Sequence, residues 1–248
     1  MNRQAQAVVL LLLGGAVIRA SLTDLYLNYV KEGLRPFLIA AGLLLVVAAV
    51  MTLWYELRPA APSPAPADPA GPDDHADHGH GHHEPRVGWL LILPVLGLLL
   101  VAPPALGSYA AGQAGTALSS QQRPSDYPPL PDGDPVQVSV LDYASRALFD
   151  KGASIGDRRV RLTGFITAGP NGQPILARMV LSCCAADGRP VKLGMTGDVP
   201  GGLADDTWVE VTGRYSDRIA RDPVNDAEIP YLDVESWRQV PAPKRQYE

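Results

Sequence analysis

Three long apolar runs in the first 106 residues, followed by five short strand-like segments, predict a molecule of two unlike parts. The first is a membrane α domain with three transmembrane helices. The second is a soluble, mainly-β domain, an OB-like five-stranded barrel with one preceding helix. Between the second and third apolar runs lies a tract that holds every histidine of the chain.

The membrane domain is expected over residues 1–107, with helices at about 5–30, 37–55 and 88–106. Phe37–Tyr55 and Gly88–Leu106 each run 19 residues without a charge, close to the roughly 20 needed to cross a bilayer core. Trp54, Tyr55 and Trp89 stand at their ends, where aromatic side chains favour the interface. Pro94, Pro103 and Pro104 are compatible with a kinked membrane helix. In the first run Ala7–Ile18 is apolar until Arg19 interrupts it. A helix continued through Ser21, Leu22, Leu25, Tyr26 and Val30 leaves Arg19 and Asp24 near an interface, where Arg19 can snorkel to the headgroups. A signal peptide with Arg3 as its basic region is the competing reading. Bulky Ile18 at the −3 position makes cleavage after Ala20 poor, so the retained helix is favoured.

Three spans put the amino terminus and the histidine tract on one side, and the first inter-helix loop and the carboxyl-terminal domain on the other. Basic flanks nearly tie: Arg3, Arg58 and Arg86 against Arg19, Lys31 and Arg35. A Pro-rich linker over residues 108–135, with five prolines between Gln121 and Pro135, suits an exported domain on a stalk. The expectation is a multi-pass cell-membrane protein in contact with lipid, its carboxyl-terminal domain extracytoplasmic.

Residues 59–87 form the expected disordered loop. Pro59–Pro72 alternates Pro and Ala, which supports neither a helix nor a core. His75, His78, His80, His82 and His83 follow, beside Asp74 and Asp77. Imidazole and carboxylate suit borderline divalent ions such as zinc, nickel, copper and cobalt. Gly79 and Gly81 keep the tract flexible, so it offers many partial sites and weak, promiscuous binding. It reads as a metal collector rather than an active site, with zinc or another divalent transition metal held weakly and no organic cofactor.

The soluble domain is expected over residues 136–243. Val140–Asp150 places Val140, Ala144, Ala147 and Leu148 on one helical face. Strand-like alternation then recurs at Arg159–Ile166, Ile175–Cys184, Pro190–Met195, Thr207–Tyr215 and Tyr231–Trp237, with turn signals at Pro170-Asn171-Gly172 and Asp187-Gly188. Two of these strands carry a V-x-x-T-G phrase, ending at Gly164 and Gly213. Cys183 and Cys184 are the only cysteines. Neighbouring residues of a strand face opposite ways, so the two thiols share a pocket only if the strand breaks there. With Asp187 and Met195 nearby they form a possible thiol site able to hold a soft ion loosely. Burial as a small core residue is the ordinary fate of one of them.

Several function classes are excluded. The net charge is −5, and acidic residues slightly outnumber basic ones in the soluble domain, so no nucleic-acid partner is expected. No histidine lies outside the loop, which removes a Ser/His/Asp set. No phosphate-binding glycine loop is present. Asp205-Asp206 and Asp226/Glu228 read as turn residues, and an enzyme is not expected.

The order of parts, together with Leu162-Thr163-Gly164-Phe165, Leu176-Ala177-Arg178, Leu181-Ser182-Cys183-Cys184-Ala185-Ala186-Asp187 and Trp208-Val209-Glu210-Val211-Thr212-Gly213, resembles the YcgQ-like family of permease subunits. The resemblance implies a multi-spanning membrane permease of the YraQ/YcgR type as partner, in a metal-homeostasis setting. The expected function is therefore an integral membrane accessory subunit of a permease in divalent transition-metal handling. The alternatives are a membrane-anchored thiol oxidoreductase using the vicinal cysteines, and a structural tether for a small binding module.

Overall fold

The computed structural model describes residues 3–58, 93, 96, 97, 100, 101, 103–118, 127–169 and 172–248. The chain divides into two compact units, Met1–Thr23 with Arg35–Pro103 and Asp24–Leu34 with Pro104–Glu248. The short connection between the first two helices thus folds with the carboxyl-terminal part.

In the first unit α1 (Arg3–Leu22) and α2 (Arg35–Leu57) pack on each other. Both are long and apolar enough to cross a membrane. Glycine makes their contact possible: a Cβ on Gly14 would lie 2.9 Å from the Gly42 carbonyl oxygen, and one on Gly42 would lie 2.7 Å from Ile18 Cγ1. Buried Ala5, Ala7 and Ala49 continue the small-residue contact, the pattern by which helices approach closely without a hydrophobic drive between them. The outer face of α2 exposes Leu43, Leu44, Val47, Val50 and Met51. Water disfavours such a face and lipid accepts it. At its end the Arg58 guanidinium lies 5.4 Å from the centre of the Trp54 ring, an arrangement suited to an interface.

The first helix stops at Leu22, short of the expected residue 30. Ser21 and Thr23 hydroxyls bond back to Val17, Arg19 and Ala20 carbonyls, and Arg35 Nε donates to the Ser21 carbonyl at 2.9 Å. These groups satisfy carbonyls that a continuing helix would otherwise use. Asp24–Asn28 then forms a 3₁₀ turn that buries Tyr26. Two membrane-length helices stand among the described residues rather than the expected three. The third expected span, Gly88–Leu106, lies mostly outside the described residues; of those described, Leu93, Leu96, Gly97 and Leu100 are helical and residues 103–106 are not. The histidine tract, with His75, His78, His80, His82, His83, Asp74 and Asp77, also lies outside them.

The second unit is built on a closed five-stranded barrel. After α3 (Ser108–Gln113), β1 (Val136–Gln137) and α4 (Val140–Phe149) come β2 (Val160–Ala168), β3 (Pro174–Val180), β4 (Arg189–Gly197), β5 (Trp208–Arg221) and β6 (Glu228–Gln239). The barrel order is β2-β3-β4-β6-β5, closed by β5 pairing back to β2 from Val160 opposite Gly213 to Phe165 opposite Trp208. The β4–β6 pair is parallel and the others antiparallel, so the connections cross over as in a Greek key. Closure leaves no long edge unpaired. The glycines of the two V-x-x-T-G phrases sit where neighbouring backbones crowd in. A Cβ on Gly164 would come within 2.7 Å of the Ala177 carbonyl oxygen, and one on Gly213 would collide with that of Asp233. At Gly213 the β5–β6 register shifts, a bulge that lets a strand turn a corner.

Helix α4 touches all five barrel strands, so it covers one mouth of the barrel. Val140, Tyr143, Ala144 and Ala147 join Leu162, Leu176, Leu193, Val211 and Leu232 in one core. Its amino end is capped twice. The Ser139 hydroxyl accepts from Asp142 N, and the Glu248 carboxylate accepts from Val140 N and Leu141 N at 3.0 and 2.9 Å, an anion where the helix dipole favours one.

Two expected boundaries move outward. Residues 104–118 were expected partly in the linker, yet they pack on the barrel. Ser108 N and Oγ donate to Asp206 at 2.6 and 2.7 Å, and Ala111 of α3 sits in a second core with Phe165, Ala177, Met179 and Trp208. At the other end the domain continues past residue 243. The tail pairs with β3 through Glu248 N to the Met179 carbonyl and Leu181 N to the Glu248 carbonyl.

Candidate metal centre at the vicinal cysteines

Strand β3 ends at Val180, before the cysteines rather than at Cys184 as expected. Asp187 causes the change. Its carboxylate accepts from Ser182 N, Cys183 N and Cys184 N at 2.8, 2.8 and 3.2 Å. Three successive amides folded onto one side chain cannot also serve a sheet ladder. A 3₁₀ turn at Ala185–Asp187 follows, capped by Cys184. Because the strand breaks here, the two thiols need not face opposite ways.

The Cys183 and Cys184 sulfurs and an Asp187 oxygen all lie within 4.8 Å of one another. Two thiolates bound tetrahedrally to zinc at about 2.3 Å sit about 3.8 Å apart, so only a small adjustment separates this cluster from a ligating one. Cys183 is exposed and Cys184 half-buried. An ion therefore reaches the sulfurs directly from solvent. Among the described residues this is the cluster of metal-ligating side chains, and it supplies three donors. Three protein donors leave a fourth position open, the pattern of exchangeable rather than closed structural zinc sites. Met195, expected as a further soft donor, is instead buried in the barrel core.

The electrostatics follow from the same contacts. The Cys183 thiol donates to Asp187 Oδ2 at 2.8 Å. That hydrogen bond to a carboxylate, then the neighbouring Cys184, push the Cys183 thiol up to about 11. In return the Cys183 thiol and the backbone amides hold Asp187 down at about 2. A depressed carboxyl value means these bonds favour the folded turn above the ordinary carboxyl range, and their contribution is lost as pH falls towards 2. A thiol raised in this way is a poor nucleophile at neutral pH. A divalent ion can displace its proton, because metal binding and thiol ionisation are linked.

Residues far away in sequence hold the turn from outside. Lys31 N donates to the Cys183 carbonyl at 3.0 Å and Ala185 N to the Tyr29 carbonyl at 2.7 Å, with an antiparallel bridge between Val30 and Cys184. The tail braces the same segment. Tyr247 Oη donates to the Asn28 carbonyl at 2.8 Å, and Arg245 meets Glu32 at 2.8 Å. Leu181, Leu27, Val30, Lys31, Arg245 and Tyr247 line a cavity of about 280 Å³ beside the turn. Nothing in the local pattern of residues 27–33 signals this role, since the pairing is wholly non-local.

Residues 146–248 match the DUF1980 C-terminal domain. The DUF1980 match begins inside α4 and takes in the closed barrel, the cysteine turn and the tail, which agrees with the YcgQ-like resemblance of the sequence. No curated protein and no solved structure matches the chain. The site residues of the DUF1980 domain therefore rest on this geometry.

Proposed function

We propose that the protein is an integral membrane accessory subunit of a multi-spanning permease, and that its OB-like barrel holds a thiophilic divalent ion, zinc foremost, at Cys183, Cys184 and Asp187. The observation that carries the reading is the convergence of two sulfurs and a carboxylate within 4.8 Å on a solvent-open turn. Soft sulfur donors with one carboxylate select zinc-like ions over magnesium or calcium. The two apolar helices supply the membrane attachment, and the histidine tract is the low-affinity collector. Membership of Asp24–Leu34 in the barrel's compact unit supports a shared side for that segment and the barrel. In this reading a third span begins near Gly88, at the apolar run Gly88–Leu106. Collector and cysteine site then face opposite compartments, with the barrel extracytoplasmic.

Calorimetric titration of the detergent-solubilised chain with zinc, nickel, cobalt and copper, beside a variant lacking residues 73–84, tests the division of labour. The intact chain should bind several ions weakly and the deletion variant about one zinc per chain. Equal binding by the two would remove the collector. Zinc uptake by the deletion variant isolates the cysteine site.

A further inference from the structure

We propose that metal occupancy of the cysteine turn and docking of the inter-helix segment Tyr29–Lys31 are coupled, so that each strengthens the other. This rests on the reading that the turn binds metal. The turn is irregular between the end of β3 at Val180 and the start of β4 at Arg189. Its inner bonds converge on Asp187, and the segment bonds the outer edge on both sides of Cys184, at the Cys183 carbonyl and the Ala185 amide. Cys184 is thereby held extended, at φ −150° and ψ 171°. An ion ligated by both sulfurs restricts the same backbone torsions that this pairing restricts. Whichever event comes first lowers the ordering cost of the second, and linkage makes the effect mutual.

Charge acts in the same direction. A divalent ion on two thiolates and a carboxylate is net negative, which favours a nearby cation. Lys31 brings one, its Nζ 3.5 Å from the Leu181 carbonyl oxygen. Arg245 and Lys244 are already paired with Glu32 and Asp24. The segment joins α1, ending at Leu22, to α2, starting at Arg35.

The test uses as parent the chain without residues 73–84 in detergent, so that the histidine tract takes up none of the zinc probe, and only residue 31 is varied. Lys31→Pro deletes the amide that donates to Cys183, while Lys31→Ala keeps it. Zinc affinity should fall about tenfold in Lys31→Pro, which loses both the amide and the ammonium, and about threefold in Lys31→Ala, which loses only the ammonium. In the parent chain, saturating zinc should slow hydrogen exchange at the Lys31 and Ala185 amides. Equal zinc affinity in the parent chain and Lys31→Pro, with no change in exchange, overturns the coupling and leaves the site standing. Absence of zinc binding in the parent chain overturns the site and the coupling together.

Discussion

Replacing Asp222 by alanine should destabilise the barrel by about 3–5 kcal/mol, because it strands a buried ammonium. Asp222 Oδ2 lies 2.9 Å from Lys192 Nζ, and the two side chains are 0% and 6% exposed. The same carboxylate accepts from Thr116 N at 2.8 Å and Val224 N at 2.9 Å. It thus fastens the strap around Thr116 and the β5–β6 turn to β4. Removing it leaves the buried Lys192 charge and the buried Thr116 amide without partners. In thermal unfolding the midpoint should drop by about 10–20 °C. The double variant Lys192→Met, Asp222→Asn removes the charge and keeps one acceptor, and should be more stable than Asp222→Ala. If Asp222→Ala unfolds within a few degrees of the unaltered chain, the pair does not hold the strap.

Asp187→Asn should make Cys183 markedly more reactive. The carboxylate accepts the thiol hydrogen bond and is the main reason the thiol titrates near 11. Without that charge the thiol should fall back towards the ordinary thiol range, raising the thiolate fraction at pH 8 by up to about 100-fold. Nucleophilicity falls with basicity and offsets about tenfold of this, so alkylation should accelerate roughly tenfold. The pH profile carries the sign. The unaltered chain should keep gaining rate up to about pH 11, and Asp187→Asn should level off about two units lower. Identical profiles would mean that Asp187 does not control the thiol.

Much of the barrel was legible because its physics is local. Alternation marked five strands, the apolar face of Val140–Phe149 marked α4, and the repeated Thr-Gly phrase marked two places where strands crowd. What escaped was fixed by partners distant in sequence. Tyr26 and Val30 fit helical spacing after Leu22, yet they serve packing and pairing in the second unit. Ser108–Gln113 is short and small-residued, with no pattern to distinguish a packed helix from a linker. Leu181–Cys184 reads as strand on composition, and only three amides converging on Asp187 break it. The sequence identified Cys183, Cys184 and Asp187 as a group. The geometry that makes them a plausible ligand set came from that break, and their outer support came from Tyr29–Lys31.

Cobalt substitution reports on the proposed sulfur ligation itself. Titrated with cobalt(II), the full chain lacking residues 73–84 should develop a near-ultraviolet thiolate-to-cobalt charge-transfer band and the intense visible bands of tetrahedral coordination. Both should vanish in the Cys183→Ser, Cys184→Ser double variant and fade when zinc is added. A cobalt spectrum without the thiolate band, or one that survives loss of both cysteines, would contradict a metal centre at Cys183, Cys184 and Asp187.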